Sequence, residues 1–130
     1  MLVLYFLSYY LIMINKQNLE KKSGFYFGTE IKEKWWNRYT KDGMFSRGKG
    51  QYWFDNDSFY FLKDATSSTI QILRKDIITI KIGKWHSGKW GVGKPVVKIL
   101  WLKENRILSS GFLVSKNIEE VEQLITELGF

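Results

Sequence analysis

The sequence predicts a mainly β chain with α: a curled antiparallel sheet of six to seven strands, capped by a C-terminal amphipathic helix and preceded by an apolar N-terminal helix. Three observations predict it. Apolar residues alternate at period two in short runs between about residues 50 and 114. Turn-forming clusters such as Asp55-Asn56-Asp57-Ser58 separate the runs. Beyond these runs, the period becomes that of a helix after residue 116.

Residues 1–14, MLVLYFLSYYLIMI, carry no charge. A helix of this length would be about 21 Å long, against about 30 Å of bilayer hydrocarbon. No basic residue precedes the run and no small-x-small site follows it, which argues against a secretory signal. Lys16, Lys21 and Lys22 lie only on its C-terminal side. The run therefore reads as a short single-pass anchor that leaves the rest of the chain membrane-associated and facing the cytoplasm. A core element of the domain is the other reading, and Tyr5, Tyr9 and Tyr10 could also form an interfacial belt.

Residues 15–43 read as a polar tether and a short helix. Ile31, Trp35 and Tyr39 fall at i, i+4 and i+8, and Gly43 suits the end of that helix. Residues 44–130 form the predicted domain. Gly50–Phe54 and Phe59–Leu62 are aromatic-rich strands joined by the Asp55–Ser58 turn. Asp64–Ser68 is a second turn. Thr69–Arg74 and Ile77–Ile82 follow, the latter with Ile78, Ile80 and Ile82 on one face. After residues 83–95 come the strands Val96–Leu102 and Arg106–Val114, turned at Lys103–Asn105. Asn117 suits an N-cap with Glu120 closing a capping box. Ile118, Val121, Leu124 or Ile125, and Leu128 make one apolar stripe that Gly129 ends. Such a helix plugs one mouth of a half-open sheet.

This order of elements, the strand ending DIITIKIGKW and the closing NIEEVEQLITELG helix resemble the pleckstrin-homology (PH-like) superfold, in particular GRAM-type or small bacterial PH-like domains, over about residues 44–128. The resemblance implies a partly open barrel used as a non-catalytic binding module. Many lipid-binding members carry basic residues in the loop after the first strand. Here Asp55-Asn56-Asp57-Ser58 takes that place and would repel a phosphate, so Arg47 and Lys49 would have to supply the charge.

The net charge of +7 is local. Residues 16–49 hold nine Lys/Arg against four acids, residues 77–103 hold six Lys and no acid, and the last 27 residues hold two basic residues against five Glu. An anionic partner suits this distribution: a membrane surface, nucleic acid or an acidic protein. A solvated lysine face that maintains solubility suits it equally.

The candidate site is GKWHSGKWGVGKP, residues 83–95, with Lys84, Trp85, His86, Lys89, Trp90 and Lys94. Gly83-x4-Gly88-Lys89 and Gly88-x4-Gly93-Lys94 have the spacing of a phosphate-binding loop. The next residue is Trp90 or Pro95 rather than Ser or Thr, and a strand rather than a helix follows. Those features argue against nucleotide hydrolysis, and the near-match in spacing is a by-product of the Gly-Lys repeat. Two readings remain. A flexible hairpin tip would set indoles at headgroup depth with ammonium groups on anionic lipid, or stack single-stranded bases on Trp85 and Trp90. Alternatively the tip folds back and its tryptophans cover the sheet. His86 reads as a surface or hydrogen-bonded residue. Trp35, Trp36, Tyr52, Trp53, Phe59 and Phe61 read as core.

With one His and no Cys, no nucleophile–base pair is in view, and Ser109 and Ser110 lack a nucleophile elbow. No ligand spacing for a metal and no cofactor motif occurs. The expectation is a non-enzymatic, membrane-tethered module that contacts anionic lipid or a protein partner. The alternative is a small soluble basic domain that binds nucleic acid or scaffolds an assembly, for instance by reading a peptide along a sheet edge.

Overall fold

The computed structural model describes residues 18–130. The expected apolar helix over residues 1–14 lies outside them. Ten strands and one helix follow in order: β1 (Asn18–Ile31), β2 (Lys34–Arg38), β3 (Gly48–Phe54), β4 (Ser58–Lys63), β5 (Thr69–Leu73), β6 (Ile77–Gly83), β7 (Trp85–His86), β8 (Lys89–Trp90), β9 (Val96–Lys103), β10 (Arg106–Leu113) and α1 (Ile118–Glu127). The main sheet runs β5-β4-β3-β1-β10-β9-β6 with β2 attached to β1, while β7 and β8 form a separate hairpin. All its pairings are antiparallel and the sheet is not closed, since β5 and β6 are its two edges. Among the described residues no helix is long and apolar enough to cross a membrane.

The first correction concerns residues 15–43, where a tether and a helix were expected. Asn18–Ile31 is instead the middle strand of the sheet, and Lys34–Arg38 is a short strand beside it. The first half of β1 pairs with β3, and its second half pairs with β10. Lys32 and Glu33 both take positive φ, of 54° and 56°. Two such residues make the tight turn whose twist suits a hairpin, so the chain folds back as β2 instead of winding into a helix. The i, i+4, i+8 pattern of Ile31, Trp35 and Tyr39 therefore had another origin. Tyr39 is buried and Ile31 packs against the core, while Trp35 and Trp36 are 53% and 66% exposed. The expectation that these two tryptophans are core is thus also corrected.

The core is aromatic. Tyr26, Phe59, Phe61 and Phe112 meet at ring-centroid separations between 5.1 and 6.2 Å, within the range of favourable aromatic pairs. Alternation along β4 and β5 puts Phe59, Phe61, Ile70 and Ile72 inside. Trp53 and Tyr60 stack on the outer face, so Trp53 is not core. On the edge strand β6 the register shifts between Ile77 and Thr79, which takes the exposed Ile78 out of the expected Ile78–Ile80–Ile82 face, while Ile80 and Ile82 stay together opposite the buried Ile99 and Val97. Three buried hydroxyls are satisfied in a chain from Tyr26 Oη to Thr29 Oγ1 (2.7 Å) and Ser110 Oγ (2.7 Å), which ends at Trp101 Nε1–H (3.0 Å).

The helix covers one side of the curl through Val121, Leu124 and Leu128, all buried. Asn117 Oδ1 accepts from the Glu119 amide at 2.9 Å, as an N-cap does. Glu120 does not close the box directly. Its carboxylate accepts from Ser115 Oγ, which in turn accepts from the Asn117 amide.

Candidate binding groove

A bulge in β1 creates the site. The pairing with β10 shifts between Tyr26 and Gly28, so Phe27 is the extra residue. Gly28 sits at φ 114°, a conformation open to glycine. The bulge lets Tyr26 and Thr29, three apart, both enter the core chain of hydroxyls. It leaves Phe25, Phe27 and Glu30 on the outer face, where the hairpin β7–β8 lies over them.

The hairpin turns at Ser87-Gly88, and Trp85 pairs with Trp90 as His86 does with Lys89. Cross-strand partners share a face. His86 points down and is fully buried, its Nε2–H donating to the Ser109 carbonyl at 2.8 Å. Its Nδ1 lies 3.5 Å from Glu30 Oε1. Burial pushes the His86 pKa down to about 4, with the backbone hydrogen bonds of Ser109 and Gly28 pulling weakly the other way. Burial pushes the Glu30 carboxyl up, although its Oε2 accepts the Ser87 amide at 3.0 Å. Arg47 donates to the Ser87 carbonyl, and Trp35 packs over the turn, 3.6 Å from where a Cβ on Gly88 would stand. The tip is therefore pinned to the sheet and is not the flexible finger of the first reading.

Lys89, beside His86 on the lower face, has its ammonium 5.6 Å above the Phe25 ring. Trp85 and Trp90 occupy the hairpin's other face and stay 42% and 54% exposed, with Lys98 stacked 5.6 Å from Trp85. The hairpin covers the sheet with its histidine and displays its tryptophans, the reverse of the folded-back reading. Trp35 and Trp36, edge to face at 5.8 Å, extend this aromatic surface beyond the turn.

Between the Lys89–Lys94 turn and the sheet lies a groove of about 570 Å³. Its floor includes a row of three residues in register on adjacent strands: Lys49 on β3, Phe25 on β1 and Leu113 on β10. Trp90 and Val92 form one wall, and Lys49, Lys89, Lys94 and Lys116 line it with Asp64 as the lone acid.

Of the six candidate residues, the structure gathers Lys89, Trp90 and Lys94 at this groove. Lys84 and Trp85 do not line it, and His86 is a structural plug. Lys49, named in sequence as a charge donor, does reach the groove, whereas Arg47 is spent on the hairpin. Phe25, Phe27 and Lys116 were missed. Only the alternation of Phe25 and Phe27 in a strand would have revealed the first two. Asp55 is a turn builder: burial opposes its charge, but hydrogen bonds from the Asp57 and Ser58 amides and from Tyr60 hold its pKa below the ordinary value. Among the described residues no cluster of His, Asp and Glu could hold a metal ion.

No family model, curated protein or solved structure matches this chain. The site's chemistry is read from its own residues.

Proposed function

We propose that the chain is a non-catalytic PH-like binding module, tethered to a membrane by residues 1–14 and facing the cytoplasm, which meets an anionic lipid surface through the hairpin and the residues beside it. One observation carries the reading. Trp85 and Trp90 are half-exposed side by side on a pinned hairpin, with Lys98 stacked on Trp85, in a stretch (residues 77–103) that holds six lysines and no acid. Rigid indoles flanked by ammonium groups suit the headgroup layer of an acidic leaflet. The succession of seven principal strands and a closing helix supports the PH-like architecture, with β1 rather than β3 as its first strand.

The test is co-sedimentation of the full chain with phosphatidylcholine vesicles and with vesicles containing phosphatidylglycerol, at low and moderate salt. A Lys84→Glu/Lys89→Glu/Lys94→Glu variant runs beside it. The expected result is an increment on anionic vesicles that salt weakens and the variant loses. At about 1 kcal/mol per lysine the loss is on the order of 100-fold. An equal increment in both proteins overturns the reading. Tighter binding of a single-stranded oligonucleotide than of anionic vesicles would favour the nucleic-acid alternative.

A further inference from the structure

We infer that the groove beneath the Lys89–Lys94 turn is a site for one single-chain amphiphilic anion, a carboxylate or phosphate monoester bearing an alkyl chain. The inference rests on the hairpin being the lipid-facing element, and moves from a surface to a single ligand.

The volume of about 570 Å³ is that of a small-molecule site, and the walls combine apolar area with a few polar groups. Polarity changes along the floor. Lys49 begins the row, Phe25 lies at its centre and Leu113 ends it. A chain lying across the strands would rest on Leu113 and the part of Phe25 that Lys89 leaves open, beside Trp90, with its head between Lys49 and Lys89. Four lysines against Asp64 give the groove a positive balance. A small inorganic anion would leave Phe25, Trp90 and Val92 uncovered. A neutral alkyl chain would leave the ammonium groups uncompensated. An amphiphilic anion uses both halves. A peptide strand fits less well, because β1 is paired on both sides where it forms the floor and offers no free edge.

Ser23 provides the means of testing it. It is exposed, lies two residues before Phe25 on the same face of β1, and lines the groove. Ser23→Trp would fill the space without altering a charge or the hairpin, and Lys49→Glu would reverse the head end. The full chain, without vesicles, is titrated with 11-(dansylamino)undecanoate below its micelle concentration. Decanoate, decyl phosphate, decyltrimethylammonium and inorganic phosphate then compete.

Saturable one-to-one binding is expected, displaced about tenfold better by decanoate or decyl phosphate than by the cationic amphiphile or inorganic phosphate. Ser23→Trp should weaken the probe by about tenfold or more while anionic-vesicle binding stays within about twofold. Equal displacement by decyltrimethylammonium, efficient displacement by inorganic phosphate, or an unchanged Ser23→Trp each overturns the inference. Should Ser23→Trp fail to melt as a folded protein, Lys49→Glu decides through the probe alone: weakening by about tenfold or more supports the inference and unchanged probe binding overturns it. Loss of the vesicle increment with the probe result intact sinks the surface reading alone. The converse sinks the groove alone.

Discussion

The imidazole of His86 sits directly on Gly111: a methyl group placed on the glycine would stand 2.5 Å from two of its ring carbons. The hairpin can lie against β10 only because that strand has no side chain there. Gly111→Ala should therefore lift the ring away from the Ser109 carbonyl. The expected cost is about 1–3 kcal/mol in urea unfolding, the usual range for forcing a methyl into a filled site. Amide exchange should quicken at residues 85–90 far more than in α1. Equal quickening in both would mean that the hairpin does not move as its own unit.

Acid should loosen the same contact. The unfolded chain protonates His86 near pH 6.5, whereas the folded chain holds it neutral until about pH 4. Between those values the unfolded state binds more protons, so stability is complete above pH 6.5 and falls as the pH drops towards 4. The contribution of His86 alone is on the order of 3 kcal/mol. Glu30 acts in the opposite sense. Its raised pKa gives stability that is present below about pH 4.5 and lost as the pH rises through its folded value, so it moderates the slope. Urea unfolding of wild type and His86→Asn at pH 7 and pH 4.5 should show a smaller pH difference in the variant.

Trp36 separates surface chemistry from folding. It is 66% exposed, so Trp36→Ala should change stability by less than about 0.5 kcal/mol. If the aromatic surface around the turn enters the headgroup layer, anionic-vesicle binding should drop by about 1 kcal/mol, roughly fivefold. Unchanged sedimentation would confine the lipid contact to the hairpin itself.

Thr29 links Tyr26 to Ser110 in the core. Thr29→Val keeps the shape and removes the link. The cost should be about 1–3 kcal/mol, because two buried hydroxyls lose a partner. Ser110→Ala on that background should cost less than on wild type, which a double-mutant cycle measures.

The sheet strands from β3 onward and α1 were legible in the sequence because their periods are clean and their turns carry Asp, Asn and Gly. Segment 18–43 was not, for a physical reason. A strand with neighbours on both sides, a bulge at Gly28 and polar residues at its start has neither period. The turn at Lys32-Glu33 uses residues that rarely adopt positive φ. The lysines of the 83–95 segment were visible as charge. Their assembly with Phe25 and Lys49 depends on the partners of β1, and register across strands is written in no local pattern.

The double partnership of β1 also sets a schedule for synthesis. Its first half meets β3 soon after both leave the ribosome, but Thr29 bonds with Ser110, 81 residues later in the chain. At about 5–20 residues per second, the second half of β1 waits several seconds with the edge that will meet β10 unpaired, β2 occupying only its other side. During that interval the sheet has an additional open edge, with Phe25 and Phe27 at its margin. Cells making this protein quickly or when short of chaperones should accumulate aggregates of chains stalled before residue 113, more than of chains stalled after it.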